Sequence, residues 1–217
     1  MNAGPLYDIT LDKTISIEER LKLQNKLKYD HKLEIKGLNL QRGFKLILNN
    51  YNLTVNAGQA IKISGPNGCG KTSLLRTIAR LNRMHEGKLL VTFRSETKPL
   101  SPNLVNFIGH DPSIAWDLSI EQYLKFYSKI TEGKAKYHSI EDSLSIFNIR
   151  TPVQLNKNLS AGQKQRLSLC KLLLFEAPIW ILDEPFNSLD MESQKILEMQ
   201  MNIHLKNGGI VILTSHQ

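Results

Sequence analysis

The sequence predicts an α/β fold: a parallel core sheet, an antiparallel β-subdomain on its N-terminal side, and a helical insertion. Three observations carry this prediction. A glycine-rich loop at 65–73, GPNGCGKTS, lies between a short apolar strand at 60–64 and a helical stretch at 73–81. Two apolar runs, 179–182 and 210–214, flank a helix-length segment at 191–205. Such continuous runs mark strands buried on both faces, as in parallel sheets covered by helices. Before the glycine loop, residues 33–64 alternate as strands, and after it residues 119–150 turn helical.

In chain order, residues 1–32 form a polar arm of mixed charge. Ser16-Ile17-Glu18-Glu19 is a capping box that predicts a short helix at 17–27. Asp8, Asp12, Glu18 and Glu19 argue against an acid-poor transit peptide, and no signal-like apolar stretch is present. The main domain runs from 33 to 217. Its first strands carry Leu33/Ile35, Leu46/Leu48 and Leu53/Val55, with turns expected at Asn49-Asn50 and Ala57-Gly58. After the glycine loop and its helix come strands at 89–94 and 104–108. The helical subdomain spans about 113–176; Ser119 and Ser139 are candidate N-caps, and Leu124, Tyr127 and Ile130 form a stripe. A helix follows Ser160-Ala161-Gly162-Gln163, then come the two buried strands with their helix between.

Composition bounds the function. The 217 residues are 41% apolar and 22% charged, ordinary for one globular domain with a real core. The net charge of +8 is spread from Lys13 to Lys206 with no basic block, so it reads as solvated faces and not as a nucleic-acid surface. Two cysteines, Cys69 and Cys170, imply no disulfide framework and fit a reducing compartment. No apolar run approaches the roughly 20 residues that cross a bilayer, so any membrane contact is expected to be indirect, through partners.

Gly65-Pro66-Asn67-Gly68-Cys69-Gly70-Lys71-Thr72-Ser73 fits G-x-x-x-x-G-K-[ST] in its required strand–loop–helix context. Glycines let successive backbone N–H groups turn towards an anion, and the helix N-terminus adds partial positive charge. Lys71 is placed to reach the β- and γ-phosphates, and the Thr72 hydroxyl to hold Mg²⁺. The strand at 179–182 ends in Asp183-Glu184. Ligands bind beyond the carboxyl ends of parallel strands. Asp183 is thereby a candidate oxygen ligand for Mg²⁺, and Glu184 a candidate base for an attacking water.

Asn158-Leu159-Ser160-Ala161-Gly162-Gln163 resembles the L-S-G-G-Q signature of the ATP-binding-cassette (ABC) ATPases, with Ala161 in place of the first glycine. The resemblance covers about 33–217 and implies an ABC-type P-loop NTPase with ATP and Mg²⁺ as cofactors. It implies that Ser160, Ala161, Gly162 and Gln163 contact, in trans, the ATP held by a second cassette, so that a homodimer is expected. Asn187-Ser188-Leu189-Asp190 is similar to the loop that pairs across that dimer, which adds Asp190 to the in trans set, and Ser215-His216 matches the switch histidine, a catalytic residue. Where the family has a glutamine, this chain has His110; a neutral imidazole is a poor Mg²⁺ ligand, so His110 either contacts the metal or instead meets the attacking water or the partner, and Asp111 is the alternative oxygen ligand. The adenine-stacking residue is either Arg42 or Phe44.

Within the family, several stretches resemble the ATP-binding subunit of the cytochrome c maturation haem exporters: Gly109-His110, 159–163, 178–185 and 208–217. That likeness implies membrane-spanning permease partners and a peripheral place on an inner membrane, at the cytoplasmic face in a bacterium or the matrix face in a mitochondrion. It implies ATP hydrolysis that releases a haem-loaded chaperone. No C-x-x-C-H haem motif occurs. The alternative is a soluble ABC ATPase, such as an iron–sulfur cluster assembly factor.

Overall fold

The apolar runs assemble into one five-stranded sheet in the order β1 (Ile9–Leu11), β4 (Ala60–Ile63), β9 (Ile210–Thr214), β8 (Ile179–Leu182), β7 (Val105–Ile108). This computed structural model describes residues 9–11, 28–42, 45–111, 114–115, 117–131, 137–150 and 152–215. The helix expected at 17–27 lies outside them. β4, β9, β8 and β7 are mutually parallel, and β1 adds antiparallel to β4. Ile63 stands opposite Thr214, Leu213 opposite Leu182, and Leu182 opposite Ile108, so all four parallel strands end together on one edge.

Both sheet faces are buried, which is why β8 is apolar throughout and β9 is apolar up to its last residue, Thr214. Ile179, Ile181, Ile210 and Ile212 point into one apolar cluster; Trp180, Leu182, Val211 and Leu213 point into the other. The first cluster is shared with helix α1 (Lys71–Ile78) and a second, antiparallel sheet. The second is shared with α2 (Ile120–Ile130), α3 (Ile140–Ile146), α4 (Ala161–Leu174) and α5 (Met191–Lys206). Each such aliphatic side chain contributes about 1.5–3 kcal/mol on burial.

The antiparallel sheet runs β3 (Lys45–Val55), β2 (His31–Arg42), β5 (Glu86–Phe93), β6 (Glu96–Pro99). The turn expected at Asn49-Asn50 is not there: β3 continues through it as an irregular, bulged stretch with Asn50 at φ 50°. Asparagine side chains take over the displaced backbone bonds. Asn50 N donates to Asn39 Oδ1 (2.7 Å), and Gly37 N donates to Asn52 Oδ1 (2.9 Å). β6 was not legible because its hairpin turn, Arg94-Ser95, is left-handed at both residues without glycine or asparagine.

In the helical subdomain, both expected N-caps form. Ser119 Oγ accepts from Gln122 N within a capping box, and Ser139 Oγ accepts from Asp142 N (2.9 Å). The stripe is shifted, however. Ile120, Tyr123 and Leu124 are buried, whereas Ile130, in the last turn of α2, is exposed. On the far side of the domain Tyr29 N donates to Asn207 O (2.9 Å), and His204 of α5 stacks on Trp180 at 4.1 Å.

Candidate active site

The glycine loop follows β4 and opens α1 as expected. Gly70 occupies the helix N-cap at φ 109°, a conformation open to glycine, and any Cβ there would run into the Ile47 side chain of β3. The antiparallel sheet thus covers the loop. No side chain caps α1 and its first turn holds no acid, so the helix dipole is left for an anion. Lys71 is buried, and its Nζ donates to Gly65 O (2.6 Å) and Pro66 O (3.2 Å). The loop's own carbonyls hold the ammonium within the cradle. Asn67, Gly68 and Thr72 are exposed; Cys69 and Ser73 are half-buried.

The carboxylate pair lies at the end of β8, on the same sheet edge. Asp183 N donates to Ile108 O (2.8 Å), which pins the strand end to β7. Asp183 is 1% exposed; Oδ1 accepts from Thr214 Oγ1 (2.7 Å), while Oδ2 is buried without a hydrogen-bond partner. A buried carboxylate oxygen left in this state is costly unless a cation or donor meets it. Together with the exposed Thr72 hydroxyl, it suits a hard, oxygen-seeking ion such as Mg²⁺. Among the described residues no cluster of three or more His, Cys, Asp or Glu could hold a metal. The remaining ligands of such an ion would be phosphate and water oxygens.

Glu184 adopts φ 53°, an unusual region for a non-glycine residue and one that clusters at functional sites. Its N–H donates to Thr214 Oγ1 (2.9 Å). Its Oε2 accepts from Asn187 Nδ2 (2.7 Å) and lies 3.0 Å from His110 Nδ1. His110 and Asp111 are both exposed just beyond β7. Thr214 was missed by sequence reasoning. The signal was available: it is the polar end of an apolar strand, one register step past Leu213, which pairs with Leu182 before Asp183.

The signature turn is built as a capping box. Ser160 Oγ accepts from Gln163 N (3.2 Å) and Gln163 Oε1 accepts from Ser160 N (2.8 Å). Ser160 and Ala161 are exposed. Gly162 packs on the loop after the carboxylates: a Cβ there would sit 2.7 Å from Ser188 O. Gln165 Nε2 donates to Pro185 O (3.1 Å), which ties α4 to the same loop. Asp190 caps α5 through Ser193 N (2.8 Å), and this bonding holds its carboxyl below the usual range. Ser215 is half-buried after β9. His216, Phe44 and the Arg42 side chain lie outside the described residues, although Arg42 itself ends β2 opposite Lys45.

A phosphate loop, a carboxylate pair and a capped signature turn on one edge of a parallel sheet define an ATP-binding cassette, and the comparisons agree. The sequence model of the ABC transporter family matches residues 48–187. This chain belongs to that family of ATPases. Its relatives place it further, on the cytochrome c biogenesis branch and not with the soluble alternative. It is 37% identical over 191 residues to the cytochrome c biogenesis ATP-binding export protein CcmA of Methylococcus capsulatus, covering 86% of this chain and 92% of that one. It is 36% identical to the protein of the same name from Haemophilus influenzae, covering 86% and 90%. Among solved structures, a putative ABC transporter ATP-binding protein of Pyrococcus furiosus superposes with TM-score 0.72 at 28% identity, covering 86% and 92%. A dimeric ATP-binding cassette in a post-hydrolysis state with ADP and Pi matches at TM-score 0.70 and 21% identity, covering 85% and 88%, a likeness of fold.

Proposed function

We propose that this chain is the ATP-hydrolysing subunit of a membrane ABC complex of cytochrome c biogenesis, with residues 33–217 as the cassette and 1–32 as an arm. The identity of about 36% to export proteins of that process, over nearly their whole length, carries the reading. Among the described residues no helix is long and apolar enough to cross a membrane. The chain would therefore act on a membrane-spanning permease from a peripheral position on an inner membrane.

Two copies would close head to tail over two ATP molecules. The loop 65–73 cradles the phosphates, and Lys71 exchanges its bonds to Gly65 O and Pro66 O for phosphate oxygens. Thr72 and Asp183 would hold Mg²⁺, which neutralises charge developing on the phosphates when bound. Glu184 accepts the proton of the attacking water. Ser160, Ala161, Gly162, Gln163 and Asp190 of the second copy face the γ-phosphate, and His216 stabilises charge on it. Arg42 or Phe44 stacks on adenine.

Depletion of this chain in its own cells tests the proposal. Covalent haem staining of c-type cytochromes should fall and return with the wild-type chain, but not with Lys71→Ala. Unchanged staining on depletion overturns the cytochrome assignment. Detergent-extracted chain should co-purify with membrane-spanning subunits; recovery without them overturns the permease assignment.

A further inference from the structure

We infer that His110 is a positioning residue for Glu184, holding the carboxylate in the orientation from which it takes the proton of water. The inference rests on the reading of Glu184 as the base. The Glu184 main chain is already fixed: its N–H is bound by Thr214, its φ is 53°, and the preceding Asp183 N is bound by Ile108 O. That anchoring still leaves the side-chain torsions to be set. Two side-chain nitrogens converge on one oxygen, Oε2: Asn187 Nδ2 donates to it at 2.7 Å, and His110 Nδ1 lies 3.0 Å away, within ion-pair reach. A carboxylate oxygen only accepts, so this contact serves as a hydrogen bond in the tautomer with the proton on Nδ1.

The two donors do different work. Asn187 belongs to the same turn as Glu184, for Asn187 N donates to Glu184 O (3.1 Å), so it follows that turn wherever it moves. His110 comes from the end of β7, the strand paired with β8. Its bond ties the carboxylate to the sheet itself. The imidazole is not there for packing: its side chain is 61% exposed, whereas that of Glu184 is 10% exposed. Holding an exposed ring in one place costs conformational entropy, which a charge-assisted hydrogen bond offsets. A residue that aims a base without touching nucleotide alters the rate of the chemical step and leaves binding alone.

Steady-state ATP hydrolysis and binding of a fluorescent ATP analogue with Mg²⁺, on the full chain in its complex, test this. His110→Ala should lower kcat about tenfold, on the scale of one lost charge-assisted bond, with KM and analogue affinity within about twofold of wild type and an unchanged Tm. His110→Asn, whose amide nitrogen takes the place of Nδ1, should recover most of the loss. In a Glu184→Gln background, His110→Ala should have no further effect. Wild-type kcat in His110→Ala overturns the inference, as does a raised KM, which would mark direct nucleotide or metal contact, or an Asn variant as slow as Ala. Wild-type turnover in Glu184→Gln alone would instead remove the base assignment, and the positioning role with it.

Discussion

The Thr214 hydroxyl donates to Asp183 Oδ1 at 2.7 Å and in turn accepts the Glu184 N–H at 2.9 Å. One fully buried side chain at the end of β9 thereby fixes the Asp183 carboxylate and the turn that presents Glu184. The bonds cross between adjacent parallel strands, so they also register the ends of β8 and β9.

Thr214→Val keeps the shape and removes this hydroxyl. Asp183 Oδ1 and the Glu184 N–H then lose their partner in the interior, at a cost of about 2–4 kcal/mol for the two groups together. Denaturant midpoints should show that loss, and ATP turnover should fall in parallel. Thr214→Ser, which retains the hydroxyl, should stay within about 1 kcal/mol of wild type.

Glu184→Gln preserves the size of the side chain and replaces the carboxylate with an amide. ATP binding should persist while hydrolysis slows by about a hundredfold or more. Filter binding of ATP beside release of inorganic phosphate separates the two effects. Equal slowing with lost binding would place Glu184 in the cradle and not at the attacking water.

Much of this site was legible because its parts are local. The glycine loop, the carboxylates ending β8 and the capped turn before α4 each depend on a few neighbouring residues, and each forms where its sequence puts it. What escaped depends on partners distant in sequence. The meeting of Glu184 with His110 and Thr214 follows from strand order, with β7 and β9 on either side of β8. In the antiparallel sheet, the bulge at Asn49-Asn50 looked like a turn because asparagine favours both; the bonds from Asn39 and Asn52 across β2 and β3 decide between them. Asp190 reads as a contact to a second copy, yet it also caps its own helix, a role any Asp before a helix can take.

Gly162→Ala tests the seam between the signature turn and the loop that follows the carboxylates. The added methyl would stand 2.7 Å from Ser188 O, a backbone atom that cannot swing aside as a side-chain tip would. Relief requires α4 and the 185–190 loop to separate, which costs about 1–3 kcal/mol. Hydrolysis should fall more than stability does, because Ser160 and Asp190 both sit on the displaced seam. Ala161, exposed beside it, should accept glycine with little change in fold stability.

Acid sensitivity should trace to His204. Burial against Trp180, whose ring lies 4.1 Å away, pushes its pKa from 6.5 down to about 4, and its Nε2 is buried without a hydrogen bond. The folded chain keeps this ring neutral while the unfolded chain protonates it. The associated stability is therefore complete above about pH 6.5 and drains away as pH falls towards 4. Each pH unit of that window is worth about 1.4 kcal/mol, so a drop from pH 7 to pH 5 should remove about 2 kcal/mol through His204 alone. His31, whose pKa burial also lowers, adds a loss of the same sign. Urea midpoints at the two pH values measure the slope, and His204→Phe, which keeps an aromatic ring over Trp180 and binds no proton, should flatten it by about that amount. An unaltered slope in this variant would move the acid sensitivity to other groups. Carboxylates act mostly below pH 5, where they begin to protonate in the unfolded chain, so the window from 5 to 7 isolates the histidines.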